Sequence, residues 1–594
     1  MTTGTLRLIK ATPNPHGAAD SQLFLFVGNA TIAPIREIIS DEGIVPPPPC
    51  SQLSSLSCRL KILHINDLHG HISRFTPQGD QPVLSRIVSR LRRVRQKHEN
   101  DPNTAVLAMS AGDDLVGAIF DELMGDDPDS FALHAGYRLY SAAGIDVSVL
   151  GNHDLDLGTD VLAEAIRKDA QFPVLSANLV SCKWLEGLYY PAALWVTKGI
   201  RVGIIGLTTS AQVRQPDHSN LQIINPVQVI HNMLPAIRPY CDVLIILSHL
   251  GYSLASGSVA SVSDAGDVEL ARSLPPGSVH LIVGGHTHHI LNEQGLTANN
   301  IVNNIPIVQA GTLGRFVGEV DVTIREEATA VTNVRLTPTA YLPIDTQFET
   351  ENVQPLLTLA RPLFTRSLGK LISHPDFSTD AVRNSFAAGE SALVNFITDA
   401  LVACCRANGY DIDLALVDAS IVRRGLPNKG ELSFDDWFDL MPFADVLRIT
   451  WISGEQLRHL IQDNAYRIDL PSEPHTERGF LHFSQQLRYT IQLAAHRAEI
   501  QATDITVNGL PLEQQLDRSF AIVCTSFVRG LSAGWEKYGR RTLNLPLMDI
   551  NQVPHMDTSL FLRDELVAYI TEHGGITEES GARRDGRLQI KQNN

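Results

Sequence analysis

Five times between residues 60 and 289 a short apolar run, readable as a buried strand, stops at a cluster of Asp, Asn or His. Leu60–Ile65 leads into Asn66-Asp67-Leu68-His69-Gly70-His71, and Thr104–Ser110 into Gly112-Asp113-Asp114. Asp146–Leu150 leads into Gly151-Asn152-His153-Asp154-Leu155-Asp156, Asp242–Ser248 into His249, and Val279–Gly284 into Gly285-His286-Thr287-His288-His289. A sixth run, Val202–Leu207, has the same apolar character. Strands that are apolar throughout belong in sheets covered on both faces. In open α/β sheets ligands bind beyond the carboxyl ends of the strands. One such histidine is ordinary. Five clusters in one region are not a packing device, because buried ionisable groups need partners or a metal.

The rest of the chain frames that region. Its 594 residues exceed what one hydrophobic core organises, so two or more domains are expected. Charged residues make up 19% and mean hydropathy is near zero, which excludes wholesale disorder. No apolar run approaches the ~18 residues of a membrane helix. A net charge of −17 argues against general nucleic-acid binding and sets a problem for any phosphate-bearing substrate, which would need a local positive charge.

Residues 1–57, ending in Pro46-Pro47-Pro48-Pro49, read as an extension and stiff spacer. The longest apolar run there, Leu23–Val27, is shorter than the ~7–15 residues of a secretory signal core. The seven cysteines are odd in number and contain no C-x-x-C pair, which reads as thiols in a reducing compartment. Both observations lead to the expectation of a cytoplasmic protein. Pro82–Lys97 is an amphipathic helix whose basic face (Arg86, Arg90, Arg92, Arg93, Arg95, Lys97) reads as solvated rather than phosphate-binding. Residues 58–345 form the first domain, 346–371 a linker helix, 372–574 a second domain and 575–594 a charged, frayed tail.

Imidazoles, carboxylates and an amide without thiolate suit Mn²⁺, Zn²⁺, Fe or Co and disfavour a structural zinc site. Seven candidate ligands exceed the needs of one ion, so two divalent ions are expected, ~3.5–4 Å apart with a shared carboxylate.

These blocks resemble those of the calcineurin-like metallophosphoesterases, and Gly-Asn-His-Asp-Leu-Asp is similar to the corresponding block of the 5′-nucleotidase and UDP-sugar hydrolase family. The resemblance implies a four-layer αββα metallophosphoesterase domain followed by an α/β substrate-binding domain. It implies that Asp67, His69 and His288 hold one metal, that Asn152, His249 and His286 hold the other, and that Asp113 bridges them. His153 and Asp156 match the family's catalytic pair. His71 and His289 stand outside the set.

The second domain extends the likeness. Gly389–Ala400 resembles the family's glutamate–asparagine–aspartate helix, Met441-Pro442-Phe443 its Leu-Pro-Phe, and Ser526-Phe527 its Asn-Phe. Phe443 and Phe527 would then sandwich a nucleobase and Arg423 would meet phosphate. Asp418 stands where the family has Asn, Ala533 where it has a ribose-binding Asp, and Ala387 where it has a second Arg, for which Arg383 and Arg529 are possible stand-ins. The implied activity is hydrolysis of a small phosphorylated substrate, a nucleoside 5′-monophosphate first, by a monomer or homodimer. The alternatives are a cyclic nucleotide, a nucleotide sugar, a non-nucleotide phosphate or sulfur ester and, in another class, a metal-bearing binding protein.

Overall fold

The computed structural model describes residues 4–28, 33–40, 58–74, 81–115, 119–125, 127–180, 183–210, 221–252, 266–298, 300–325, 328–384, 389–418, 421–422, 424–428, 430–441, 445–468, 480–494, 496–525, 548, 550, 553 and 555–592. The chain divides into two compact units, Met1–Ala360 and Arg361–Asn594.

The first unit is built on two sheets. The apolar runs form their centres. Cys58–Ile65, Thr104–Ser110 and Val147–Val149 lie parallel in a seven-stranded sheet closed by the antiparallel pair Phe316–Ile324 and Thr329–Pro338. Ile200–Thr208, Val243–His249, Leu281–Gly284 and Ile305–Val308 lie parallel in a nine-stranded sheet. One core is shared between the sheets, where Ile62 and Leu107 of the first join Trp195, Ile204 and Ile245 of the second. On the outer face of the nine-stranded sheet, Val229, Ile230 and Met233 of helix Pro226–Ile237 pack with Leu194, Ile205 and Ile246. Helix Leu84–His98 covers the other sheet, burying Leu84, Ile87, Val88, Leu91 and Val94. The order helix, sheet, sheet, helix is the expected αββα sandwich.

The basic face of that helix is committed to the fold. Arg90 makes a two-pronged pair with Glu319 at 2.8 Å, Arg92 reaches Asp345 at 3.0 Å, and Arg95 reaches the buried Asp146 at 2.8 Å. These guanidiniums are spent on carboxylates of the same unit.

Three readings of the sequence are corrected. Residues 4–40 are part of the first unit: Ser21–Val27 pairs with Ala192–Thr197, and Gly4–Ala11 and Ile35–Ser40 continue the nine-stranded sheet to its edge. The apolar run too short for a signal is the right length for a buried strand, with Leu23, Phe24, Leu25 and Phe26 all below 5% exposed. Asn14 and Ala18 hold the turn at Ile145 and Asp146 by hydrogen bonds of 2.8 and 2.7 Å. The prolines at 46–49 lie outside the described residues. Cys58 is disulfide-bonded, whereas Cys241, Cys404, Cys405 and Cys524 are buried thiols. The all-thiol reading therefore fails. Helical structure runs over Thr346–Phe348, a π turn at Glu349–Val353 and Gln354–Phe364, then stops; Ser367–Leu371 is a strand paired with Glu431–Ser433.

The second unit has a five-stranded sheet with Ser519–Thr525 at its centre, flanked by Leu414–Asp418 and Val446–Ser453, and a core helix, Ala392–Ala407. Its last residues are anchored. Leu588–Gln592 pairs with Leu487–Leu493, and the side chains of Arg584, Asp585 and Arg587 before it are paired. Arg587 is buried and bonds both oxygens of Asp399 at 2.9 and 2.7 Å; Glu390 accepts from the Asp585 amide and from Asn395, each at 2.7 Å. The glutamate–asparagine–aspartate helix is thus the anchor for the segment read as a frayed tail. A charged stretch looks solvated when its partners lie about 190 residues away in sequence.

Candidate metal centre

The carboxyl ends of five parallel strands of the first unit deliver all the first-domain site residues to one place. Asp67 and His69 follow Cys58–Ile65, Asp113 follows Thr104–Ser110, and Asn152 and His153 follow Val147–Val149. His249 ends its strand, and His286 and His288 follow Leu281–Gly284. The backbone there is unusual. Asp67, His69, Asp113, His286 and His288 all hold positive φ, between 47° and 73°. Residues with side chains avoid that region unless the surroundings impose it, at ~1–3 kcal/mol each. Two glycines permit the crowding. A Cβ on Gly112 would lie 2.9 Å from His249 Nδ1, and one on Gly151 would lie 2.0 Å from Asp113 Oδ1.

The side chains converge in two groups, Asp67–His69–His288 and Asp113–His249–His286, each with its ligand atoms within 4.8 Å of one another. In the first, His288 Nε2 is 3.2 Å and His69 Nε2 3.9 Å from Asp67 Oδ1. In the second, His249 Nε2 is 3.1 Å from Asp113 Oδ2, and that oxygen is also 3.9 Å from His69 of the first group. Asp113 therefore faces both. Asn152 Oδ1 is 2.9 Å from His286 Nδ1, which brings the seventh candidate to the second group.

His249 shows what the site is made for. Its Nδ1 donates to the Ala111 carbonyl at 2.5 Å, which fixes the ring and turns Nε2 inward. That Nε2 is fully buried and faces Asp113 Oδ2 at 3.1 Å; the Asn152 Nδ2 beside the group makes no hydrogen bond. Burial opposes a charge on His249, yet Asp113 and Asp67 lift its pKa to about 10. Burial pushes His69 down to about 4 and His286 to about 3, so both imidazoles are neutral at pH 7. Although burial favours the protonated form, His288 and His249 hold Asp67 below the usual carboxylate range, and His249 and His153 hold Asp113 well below it. Neutral imidazoles and ionised carboxylates are the forms that bind metal, so His69, His286 and the two carboxylates are ready for an ion and His249 would release its proton to one. The donor set fits two divalent cations.

His153 stands at the rim with its ring 5.3 Å from that of His69, and its Nδ1 is 2.7 Å from Oδ2 of the buried Asp156. Its amide donates to Asp113 Oδ1 at 2.9 Å, so the catalytic candidate and the shared carboxylate are tied together. His71 bonds the His69 carbonyl and His289 the Thr287 hydroxyl; neither enters a group.

Sequence reasoning missed the residues that hold these loops. Asp154 accepts from the amides of Gly151, Asp113 and Asp114, and burial lifts its carboxyl to about 8. Asn66 and Gln309 are buried amides bonded to the ligand loops. The available signal was an amide or carboxyl at a strand end with no ligand role of its own. In the second unit Asp418 is buried at the end of strand Leu414–Asp418. Arg423, Phe443, Phe527, Ala387, Arg529 and Ala533 lie outside the described residues, as does the side chain of Arg383.

The family model described as calcineurin-like phosphoesterase matches residues 60–289, and a second, the 5′-nucleotidase C-terminal domain, matches residues 369–538. The chain thus matches the two domain models one after the other. It is 31% identical to protein UshA of Salmonella pullorum over 301 residues, 47% of this chain and 52% of UshA, so it spans about half the length of that relative. A 5′-nucleotidase of Vibrio cholerae is 26% identical over 433 residues, 67% of this chain and 74% of the relative. The crystal structure of a 5′-nucleotidase precursor from Thermus thermophilus shares the fold, with a TM-score of 0.56 at 23% identity over 90% of this chain and 99% of that one.

Proposed function

We propose that the chain is a metal-dependent phosphoric ester hydrolase, with nucleoside 5′-monophosphates as first substrate class and two Mn, Zn, Co or Fe ions as cofactors. The observation that carries the reading is the pair of convergent groups sharing Asp113, with the His153–Asp156 pair alongside. Asp67, His69 and His288 would hold one ion; Asn152, His249 and His286 the other, with Asp113 common to both. Bound there, two divalent ions supply the positive charge that activates water and neutralises phosphoryl oxygens. The rest falls to this chain. Asp156 accepts from His153 Nδ1, which leaves Nε2 to give a proton to the departing ester oxygen. In the second unit Phe443 and Phe527 would stack a base, Arg423 would take phosphate and Asp418 would line the same site. The names of the relatives support a nucleotide substrate, and the Cys58 disulfide supports an oxidising compartment over a cytoplasmic one.

The test is phosphate release from nucleoside monophosphates, 2′,3′-cyclic nucleotides, UDP-glucose and an aryl phosphate, with metal-stripped protein and single metals restored. Turnover of the monophosphates with restored metal supports the reading. Turnover of another member alone moves the substrate class, and no turnover of any member returns the chain to a metal-bearing binding protein.

A further inference from the structure

The loop Gly285–His289 carries one histidine into each metal group and has no regular structure to hold it. Beside the bonds that its middle makes to Asp67 and Tyr252, one buried side chain from the neighbouring strand end ties its two ends together. Gln309, fully buried just past strand Ile305–Val308, fills the inside of the loop. Its Nε2 donates to the Gly285 carbonyl at 2.6 Å, and its Oε1 accepts from the His289 amide and from the Thr287 hydroxyl at 3.4 Å. Both ends of the loop are therefore tied to one amide group, with His286 and His288 between them at φ 73° and 57°. A carboxylate or an apolar side chain could not satisfy a carbonyl at one end and an amide N–H at the other.

The tie continues into the other half of the centre. The amide of Ala310, next to Gln309, donates to Asn66 Oδ1 at 2.8 Å, and Asn66 Nδ2 donates to Asp67 Oδ2 at 2.6 Å. The His286 amide in turn donates to both oxygens of Asp67, at 3.1 and 3.0 Å, and the Leu313 amide to the Asp67 carbonyl at 2.8 Å. A closed ring results: Gln309, the histidine loop, Asp67, Asn66 and back to Ala310. It links His288 and Asp67 of one group with His286 of the other.

We infer that Gln309 is a positioning residue for both metal groups at once, setting the two histidines through the one loop they share. The inference rests on the metal reading above. Partners one layer beyond metal ligands typically change metal affinity by ~10–100-fold when removed. Loss of a ligand should weaken mainly its own ion; loss of Gln309 should weaken both.

The experiment is calorimetric titration of Mn²⁺ into the metal-stripped full chain, with bound metal counted by atomic absorption, for the parent, Gln309→Met, Gln309→Glu and His249→Ala. The expected parent binds two ions. Gln309→Met is expected to bind both about 10–100-fold more weakly, and His249→Ala to lose mainly one. Gln309→Glu keeps the acceptor for His289 and Thr287 and loses the donor to Gly285, so its loss is expected to be smaller and again shared by both ions. Parent affinities in Gln309→Met, or a weakening confined to one ion, overturn the inference and leave the metal reading standing. A lower melting temperature with unmoved affinities overturns it too, since that is a structural role only. If Gln309→Met fails to melt cooperatively, Gln309→Glu decides: a shared weakening supports the inference and parent affinities overturn it. A parent that binds no Mn²⁺ overturns the metal reading itself, and this inference with it.

Discussion

Two buried charge clusters, one in each unit, are built on opposite principles. In the second unit every acid is answered: Asp399 by both arms of Arg587, Asp376 by Arg584, and Glu390 by backbone amides and Asn395. In the first unit Asp67 and Asp113 are met by imidazoles, by Asn66 and by backbone amides rather than by an arginine, and two of those imidazoles, His69 and His286, are kept neutral by burial. A cluster that balances its own charge is architecture. One that leaves its carboxylates short of positive charge and its backbone in left-handed conformations is arranged for something that arrives from outside.

The sharpest way to break this contrast is Asp113→Asn. It removes the charge that faces both groups, and phosphate release is expected to fall by about 10⁴-fold, the equivalent of several kcal/mol of transition-state stabilisation. Retention of most of the activity would show that the first cluster is also mere architecture. Next in size, His153→Ala should lower kcat by about 10²–10⁴-fold with the metal count unchanged; a variant that loses metal as well would place His153 among the ligands. In the second unit Arg587→Met strands Asp399 and is expected to cost about 3–5 kcal/mol in urea unfolding. Its metal content should be untouched, and a change there would remove the distinction between the clusters.

A smaller effect comes from Asp267 of the first unit, fully buried and bonded to Ser248 Oγ at 2.5 Å. Burial raises its carboxyl from 3.8 to about 8, so the folded chain keeps a proton that the unfolded chain gives up above about pH 4. Stability from this group is therefore full below about pH 4 and declines as pH rises to about 8. Melting curves of the metal-stripped parent and Asp267→Asn should show a shallower decline in the variant over that window; parallel curves would mean that the carboxyl is ionised in the fold. The smallest effect is a count: alkylation of the denatured chain should label five cysteines without reductant and all seven after reduction. Seven in both arms would remove the argument for an oxidising compartment.

The metal groups were legible because their residues follow strands whose apolar runs announce themselves, and Asp113 or His286 has no other reason to sit there. Strands Gly4–Ala11 and Ile35–Ser40, the last two of the nine-stranded sheet, were not, since each buries one face intermittently and its residues read as polar filler. Gln309 was illegible for a different reason. A lone amide at a strand end carries no periodicity and no spacing; only the two loops that close around it give it meaning. The Asp399–Arg587 pair spans 188 positions, a separation over which composition says nothing about partnership.

The strand Ser21–Val27 has a practical corollary. The phosphoesterase family model begins at residue 60, which invites trimming the chain to that point. Such a trimmed chain would uncover the whole length of Ala192–Thr197, six consecutive buried residues whose outer row of amides and carbonyls is paired with Ser21–Val27. An apolar strand with an open edge is a template for the next molecule. The product is expected to precipitate before its chemistry could be assayed, and an absence of activity in it would say nothing about the full chain.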